Sequence, residues 1–159
     1  MLYAIIRKMK KEILSKSPRQ TEAIASHFIK EILKEPPFKK GALVFSLEGE
    51  LGAGKTQFLK GAGKALKIKE KINSPTFIIM KRYVLKRRDF KYLWHLDLYR
   101  LKKIKEITSL GFKDLLKDKE NLIFIEWGNK IKKILPKNYI RVRIKIKGEK
   151  ERLFEVAYV

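Results

Sequence analysis

The stretch Gly49-Glu50-Leu51-Gly52-Ala53-Gly54-Lys55-Thr56 matches the phosphate-binding pattern G-x-x-x-x-G-K-[ST] at every fixed position. It lies between an apolar, β-prone run over residues 42–48 and a run over 57–66 whose apolar residues share one side of a helix. Such a loop turns its N–H groups inward, and the helix that follows adds a partial positive charge at the same point. The stretch therefore predicts a binding site for a nucleoside triphosphate.

Two side chains of this motif carry distinct chemistry. Lys55 can reach the β- and γ-phosphates as a point charge, and the Thr56 hydroxyl can ligate Mg²⁺. Lys55 is accordingly also a predicted catalytic residue. The predicted nucleotide contacts are Gly49, Glu50, Leu51, Gly52, Ala53, Gly54, Lys55, Thr56 and the next residue, Gln57.

Composition limits the class of protein. The 159 residues suffice for one domain with a buried core, and the chain has no cysteine and no apolar run of about 18 residues. The apolar residues 2–6 precede basic residues instead of following them, which is the wrong order for a secretory signal and favours a cytoplasmic protein. The formal net charge of +22 favours a polyanionic partner such as nucleic acid, or else a lysine-biased composition with solvated side chains.

The hydrophobic pattern predicts an α/β fold around the phosphate loop. Before the loop we expect a strand over 9–15, with Ile13 and Leu14 facing inward, and a helix over 18–33 with Ser17 and Gln20 forming a capping box. The predicted elements after 57–66 are strands over 77–85 and 90–99 joined by a hairpin turn, a helix over 104–119 interrupted at Gly111, a strand over 122–127, a short helix over 128–134, and strands over 139–147 and 152–159.

These elements predict the architecture of the domain. We expect one P-loop NTPase-like domain over residues 1–159 with three layers, in which residues 1–8 form an N-terminal extension. Its central sheet is mostly parallel, with a β-hairpin insertion and an antiparallel C-terminal strand pair. The strand over 139–147 alternates Ile140, Val142, Ile144 and Ile146, predicted to face the core, with Arg141, Arg143, Lys145 and Lys147, predicted to contact solvent or a polyanion.

Two acids, Asp97 and Glu126, follow apolar runs and are predicted to lie at the carboxyl edge of the sheet. A carboxylate at the rim of a buried strand is costly unless it is paired or metal-bound. One of them could hold Mg²⁺ while the other orients the attacking water, and pairing with a lysine is the alternative. We expect the neighbouring His95 and Trp127 to be packing residues, and His27 to be an ordinary surface or half-buried histidine.

The loop around Pro75 places the hydroxyls of Ser74 and Thr76 beside a rigid turn. This arrangement suits a segment that senses the γ-phosphate or Mg²⁺, and a simple turn is the alternative.

The identity of the nucleotide is restricted by signatures that the chain lacks. The stretch Asn129-Lys130-Ile131-Lys132 has a lysine where the N-K-x-D signature of guanine-specific enzymes has an aspartate, and no D-x-x-G follows Asp97. ATP is therefore the predicted nucleotide. A compact ATPase, a stand-alone small-molecule kinase and a nucleic-acid-binding module all remain possible at this point.

Several motifs taken together resemble the bacterial TsaE family. They are the phosphate loop, Ser74-Pro75-Thr76-Phe77, His95-Leu96-Asp97-Leu98-Tyr99-Arg100-Leu101, Gly111-Phe112 and Glu126-Trp127, in the family's order and spacing. The resemblance implies a small ATPase that is required for threonylcarbamoylation of adenosine 37 in tRNAs reading ANN codons. It also implies action on the TsaD–TsaB protein pair, without being the transferase itself.

The resemblance assigns roles to individual residues. It implies that residues 49–56 bind ATP, that Thr56 and Glu126 hold Mg²⁺, and that Asp97 is an acid needed for hydrolysis. It also implies that Ser74 and Thr76 belong to the switch-like segment and that the adenine lies near residues 15–19. The extra residues 1–8 and the strong basicity depart from the commoner family pattern and bear on partner or tRNA contacts.

Overall fold

Seven strands form one mixed sheet in the computed structural model, which describes residues 11–38, 40–74 and 78–159. Strands β1 to β7 span Lys11–Ser15, Leu43–Glu48, Met80–Val84, Tyr92–Asp97, Asn121–Glu126, Ile140–Ile146 and Arg152–Tyr158. Their order across the sheet is β1-β7-β6-β2-β5-β4-β3. The central strands β6, β2, β5 and β4 run parallel, β3 is antiparallel to β4, and β7 is antiparallel to both of its neighbours. This topology confirms the predicted α/β fold, its hairpin and its antiparallel C-terminal pair.

Helices cover both faces of the sheet. They are α1 (Pro18–Lys34), α2 (Lys55–Ala65), α3 (Ile104–Ser109), α4 (Phe112–Lys117) and a 3₁₀ helix over Gly128–Ile134. On one face, α1 and α2 pack over a core in which the rings of Phe45 and Phe124 stack 4.4 Å apart. On the other face, α3, α4 and the 3₁₀ helix bury a second apolar cluster. Within the described residues, no helix combines the length and the apolar character needed to cross a membrane.

Several predicted boundaries shift. The predicted helix over 104–119 is two helices, because Gly111 adopts a left-handed conformation (φ 80°) between them. Strand β5 ends at Glu126 because Trp127 is left-handed (φ 64°). Strand β3 begins at Met80, and the earlier part of the prediction over 77–85 includes Phe77, which lies outside the described residues. Residues 9 and 10 of the predicted first strand also lie outside them.

Three local predictions were wrong in part. Ile13 packs against the core but Leu14 is 42 % exposed, because adjacent residues of a strand point to opposite faces. Ile146 was predicted to face the core and is 39 % exposed at the end of β6. Ser17 caps α1 by accepting the Gln20 N–H at 3.1 Å, whereas the Gln20 side chain accepts from the N–H of Lys16 instead of Ser17.

Candidate nucleotide-binding site

The phosphate loop connects the buried central strand β2 to α2. Helix α2 begins at Lys55, and its N-cap Gly54 has φ 99°, a conformation that is strained for any residue with a Cβ. No side chain in the described part of the chain caps this helix end, so its first N–H groups and its partial positive charge point to an anion site. The geometry of the loop is what the sequence motif predicts for phosphate binding.

The Lys55 ammonium is turned back onto its own loop. Its Nζ donates to the carbonyl oxygens of Gly49 and Glu50, both at 2.8 Å. The residue is only 5 % exposed, and burial lowers the pKa of Lys55 below its ordinary value while the carboxylates of Glu126 and Asp97 oppose that shift. A phosphate group arriving at this site would offer the ammonium a stronger, charged acceptor than two carbonyls.

Thr56 and Glu126 meet across the interface between α2 and β5. The Thr56 hydroxyl lies 2.8 Å from Oε1 and 3.0 Å from Oε2 of Glu126, whose side chain is almost fully buried. The two residues are 70 positions apart in the chain. Strand β5 lies directly beside β2, which places the acid under the first turn of α2.

Asp97 lies beside Glu126 at the same edge of the sheet, because the parallel strands β4 and β5 pair these two residues. Its Oδ2 accepts a hydrogen bond from the Ser74 hydroxyl, and its Oδ1 accepts from the Tyr99 N–H at 3.0 Å. Ser74 therefore reaches the site, whereas Thr76 lies outside the described residues.

His95 and Trp127 are packing residues, as predicted, and each also contacts a residue of the candidate site. His95 is fully buried, and its Nε2 lies 2.9 Å from Oε1 of Glu126. The Trp127 ring lies beside the Lys55 ammonium and contacts the ring of Tyr99 at 5.3 Å between ring centres. Among the described residues, no lysine forms a direct ion pair with either acid: the carboxylate of Glu126 is bonded by a hydroxyl and an imidazole, and that of Asp97 by Ser74 and the Tyr99 N–H. The negative charge of both acids nevertheless acts on Lys55. His27 is exposed, in line with its prediction.

Sequence reasoning missed Arg152, at the start of β7. Its guanidinium donates to the carbonyl oxygen of Gly52 in the phosphate loop at 3.2 Å, and to Gly148 and Glu151 within the β6–β7 hairpin. Arg152 pairs in register with Ser15, so the start of α1, where the resemblance places the adenine, lies near the loop. No local signal marks this arginine, because the contact depends on a strand order that brings residues 52 and 152 together.

Gln57 stays a predicted nucleotide contact, and its side-chain amide donates to the Glu22 carboxylate on α1. Glu22 also pairs with Lys64, so this carboxylate connects the phosphate-loop helix α2 to α1.

The remaining residues of the phosphate-loop motif, Leu51 and Ala53, differ in solvent exposure: Leu51 is 69 % exposed and Ala53 is fully buried.

The basic row of β6 is partly neutralised. Arg143 pairs with Glu48 at 3.5 Å, and Lys145 pairs with the buried Glu155. Arg143 also lies 4.0 Å from Glu155, so two of the four predicted cations belong to an ion-pair network on this face of the sheet. The row is therefore less available to a polyanion than its sequence indicates.

The donor set fits magnesium carried by a nucleotide. Mg²⁺ prefers oxygen ligands and is usually held by one or two protein oxygens together with substrate phosphates. The hydroxyl of Thr56 and the carboxylate of Glu126 provide such oxygens at the start of α2. Across the three described ranges, no group of three or more His, Cys, Asp or Glu side chains could hold a metal ion on its own, so the phosphates of the nucleotide would have to supply the other ligands.

Comparisons with known proteins agree with these observations. Residues 15–154 match the family model of the threonylcarbamoyl adenosine biosynthesis protein TsaE. The tRNA threonylcarbamoyladenosine biosynthesis protein TsaE of Bacillus subtilis is 35 % identical over 136 residues, covering 86 % of this chain and 78 % of that protein. Its counterpart in Nostoc is 39 % identical over 116 residues, covering 71 % and 68 %. The crystal structure of Bacillus subtilis YdiB superimposes with a TM-score of 0.69 at 28 % identity, covering 95 % of this chain and 88 % of that one.

Proposed function

This chain belongs to the TsaE family, and from that premise we propose that it is the ATP-hydrolysing subunit required for threonylcarbamoylation of adenosine 37 in tRNAs that read ANN codons. It acts in the cytoplasm on the TsaD–TsaB pair and is not the transferase. Its relatives carry the name of this tRNA modification, and its own site is built for a nucleoside triphosphate.

One observation carries the proposal: the Thr56 hydroxyl on the first turn of α2 bonds both carboxylate oxygens of Glu126 on the neighbouring strand. A phosphate bound at the helix N-terminus would lie against these two residues and Lys55. Thr56 and Glu126 would hold Mg²⁺, which, when bound, supplies positive charge to the β- and γ-phosphate oxygens.

Asp97 has a different role in this proposal. It lies beside Glu126 but bonds Ser74 and the Tyr99 N–H instead of Thr56. Its carboxylate orients the attacking water and accepts the proton that this water loses. Because Ser74 bonds the same carboxylate, a movement of the loop at 74 would change the orientation of Asp97, which links hydrolysis to a conformational change of that loop.

Lys55 acts by positioning and by charge. Its ammonium leaves the carbonyls of Gly49 and Glu50 and binds the β- and γ-phosphates, where it stabilises the charge that develops during transfer. Burial of this lysine strengthens the interaction, since fewer waters screen it.

ATP turnover measured with and without the purified TsaD–TsaB pair tests the proposal. We expect slow turnover alone and a marked rise with the pair. Lys55→Ala should lose nucleotide binding, and Glu126→Gln should lose far more turnover than binding, while the exposed Lys69→Met serves as the matched control. Unchanged turnover in both site variants would contradict the proposed site.

Two further outcomes separate the alternatives. Phosphoryl transfer to a metabolite in the absence of the partner pair would favour a small-molecule kinase. Direct tRNA binding whose affinity falls steeply with salt would favour a nucleic-acid-binding module, as the net charge of +22 allows.

A further inference from the structure

His95 is a fully buried titratable side chain that the proposed chemistry does not use. It lies on β4, two residues before Asp97, and so faces the same side of the sheet as Asp97 and its register partner Glu126. Its Nε2 lies 2.9 Å from Oε1 of Glu126, and its Nδ1 is buried without a partner among the described residues. An apolar side chain would fill this place without leaving a buried nitrogen unpaired, so the imidazole carries an energetic cost.

We propose that His95 is a positioning residue for Glu126, and through it for the metal-bearing nucleotide. Glu126 is 3 % exposed, and within the described part of the chain the hydrogen-bond donors to its carboxylate are Thr56 and His95. A carboxylate only accepts hydrogen bonds, so Nε2 must carry the proton in this contact. The imidazole holds Oε1 in place, which fixes the rotation of the carboxylate and keeps both oxygens within reach of the Thr56 hydroxyl.

The geometry explains why a second donor is needed. Thr56 bonds both oxygens of Glu126, and a hydroxyl alone does not fix the rotation of a carboxylate. His95 approaches only Oε1 and comes from a different strand, so the two donors restrain the carboxylate from different directions. Groups that orient a metal-holding side chain in this way commonly change metal affinity about 10–100-fold when they are removed.

Calorimetric titration of the isolated protein with ADP, with and without Mg²⁺, tests this inference, which rests on the proposed nucleotide site. His95→Leu removes the donor but keeps an apolar side chain, and His95→Gln restores a donor of similar reach. In wild type, Mg²⁺ should strengthen ADP binding. In His95→Leu we expect the factor of this strengthening to be smaller by about tenfold or more, while the affinity for ADP without Mg²⁺ stays near wild type. His95→Gln should recover most of the loss.

A matched control separates positioning from loss of packing. Leu93 is fully buried on the same strand and face as His95, and Leu93→Ala should lower stability without changing the effect of Mg²⁺ on ADP affinity. Equal Mg²⁺ dependence in wild type and His95→Leu would overturn the inference. If wild type itself showed no effect of Mg²⁺, the proposed metal role of Thr56 and Glu126 would fail instead.

NMR of the wild-type imidazoles tests the contact without any change at residue 95. The chain has only two histidines, and His27 is exposed, so His27→Asn assigns the spectrum. We expect the His95 Nε2 to carry a slowly exchanging proton whose signal moves in Glu126→Gln. An unprotonated Nε2, or a signal that does not respond to Glu126→Gln, would overturn the inference even if His95→Leu failed to fold.

Discussion

The Lys55 ammonium lies 3.9 Å from the centre of the Trp127 ring. At the same time its Nζ donates to the carbonyl oxygens of Gly49 and Glu50, so the lysine that is predicted to bind phosphate has three partners of its own. A cation over an indole ring is held by about 0.5–2 kcal/mol, which is less than a charged phosphate offers. Nucleotide binding should therefore move Lys55 away from Trp127.

Tryptophan fluorescence should report this movement. In Trp94→Phe, Trp127 is the remaining tryptophan, and we expect ATP or ADP to change its emission because the ammonium leaves the ring. Trp127→Phe retains Trp94, which bonds Asn121 at 3.0 Å, and should show no comparable change. An equal response in Trp127→Phe would show that the signal does not come from Lys55 and Trp127.

The pKa of Lys55 predicts a pH dependence of stability. Burial lowers this pKa below 10.5 in the folded protein, so the unfolded chain binds the proton more tightly. Protonated Lys55 thus opposes folding at neutral pH, and this penalty disappears as the pH rises through the lowered pKa towards 10.5. In urea unfolding at a series of pH values, the wild type should gain free energy of unfolding relative to Lys55→Met over that window. Lys69→Met removes an exposed lysine and is the matched control. A constant difference between wild type and Lys55→Met across the window would contradict the shift.

Asp97→Asn should separate turnover from binding. It removes the carboxylate that is proposed to accept the proton of the attacking water, so partner-stimulated turnover should fall about 10²-fold or more. ATP affinity should change little, because within the described residues the hydrogen bonds of the Asp97 carboxylate go to Ser74 and the Tyr99 N–H. Ser74→Ala leaves the carboxylate in place and should cause a smaller loss of turnover. Wild-type turnover in Asp97→Asn would exclude the role given to this acid.

Gly61→Ala should destabilise the protein although alanine favours helices by about 1 kcal/mol. A Cβ at this position would lie 2.7 Å from the Ala25 Cβ and 2.8 Å from the Glu22 Cα on α1. These atoms belong to a packed helix and cannot turn aside, so α1 and α2 must separate at a cost of about 1–3 kcal/mol. We expect a lower urea midpoint, measured by circular dichroism.

Gly63→Ala is the matched control for this substitution. Gly63 lies on the same helix, but the nearest atoms to a Cβ there are at the flexible end of the Ile72 side chain. That side chain can adopt another rotamer, so the loss should be smaller than in Gly61→Ala. A larger loss in Gly63→Ala would contradict the argument from helix packing.

Local patterns in the sequence were sufficient for the phosphate loop, the order of elements and the position of both acids. Each depends on residues that are close in the chain: the motif at 49–56, the period of apolar positions, and an acid at the end of an apolar run. The break at Gly111 was predicted for the same reason, since a left-handed glycine acts on its own neighbours. The family followed from these local features combined in one order.

The contacts around the acids came only from the tertiary structure. From the sequence we expected His95 and Trp127 to be packing residues and assigned no role to Arg152. In the structure His95 contacts Glu126, and Trp127 contacts Lys55. Arg152 contacts Gly52. Each of these contacts joins residues that are far apart in the chain. The contacts exist because β5 lies between β2 and β4 in the sheet, and β7 lies next to β6. Local residue patterns do not encode which strands become neighbours, because that order is set by how the two apolar faces of the sheet are covered.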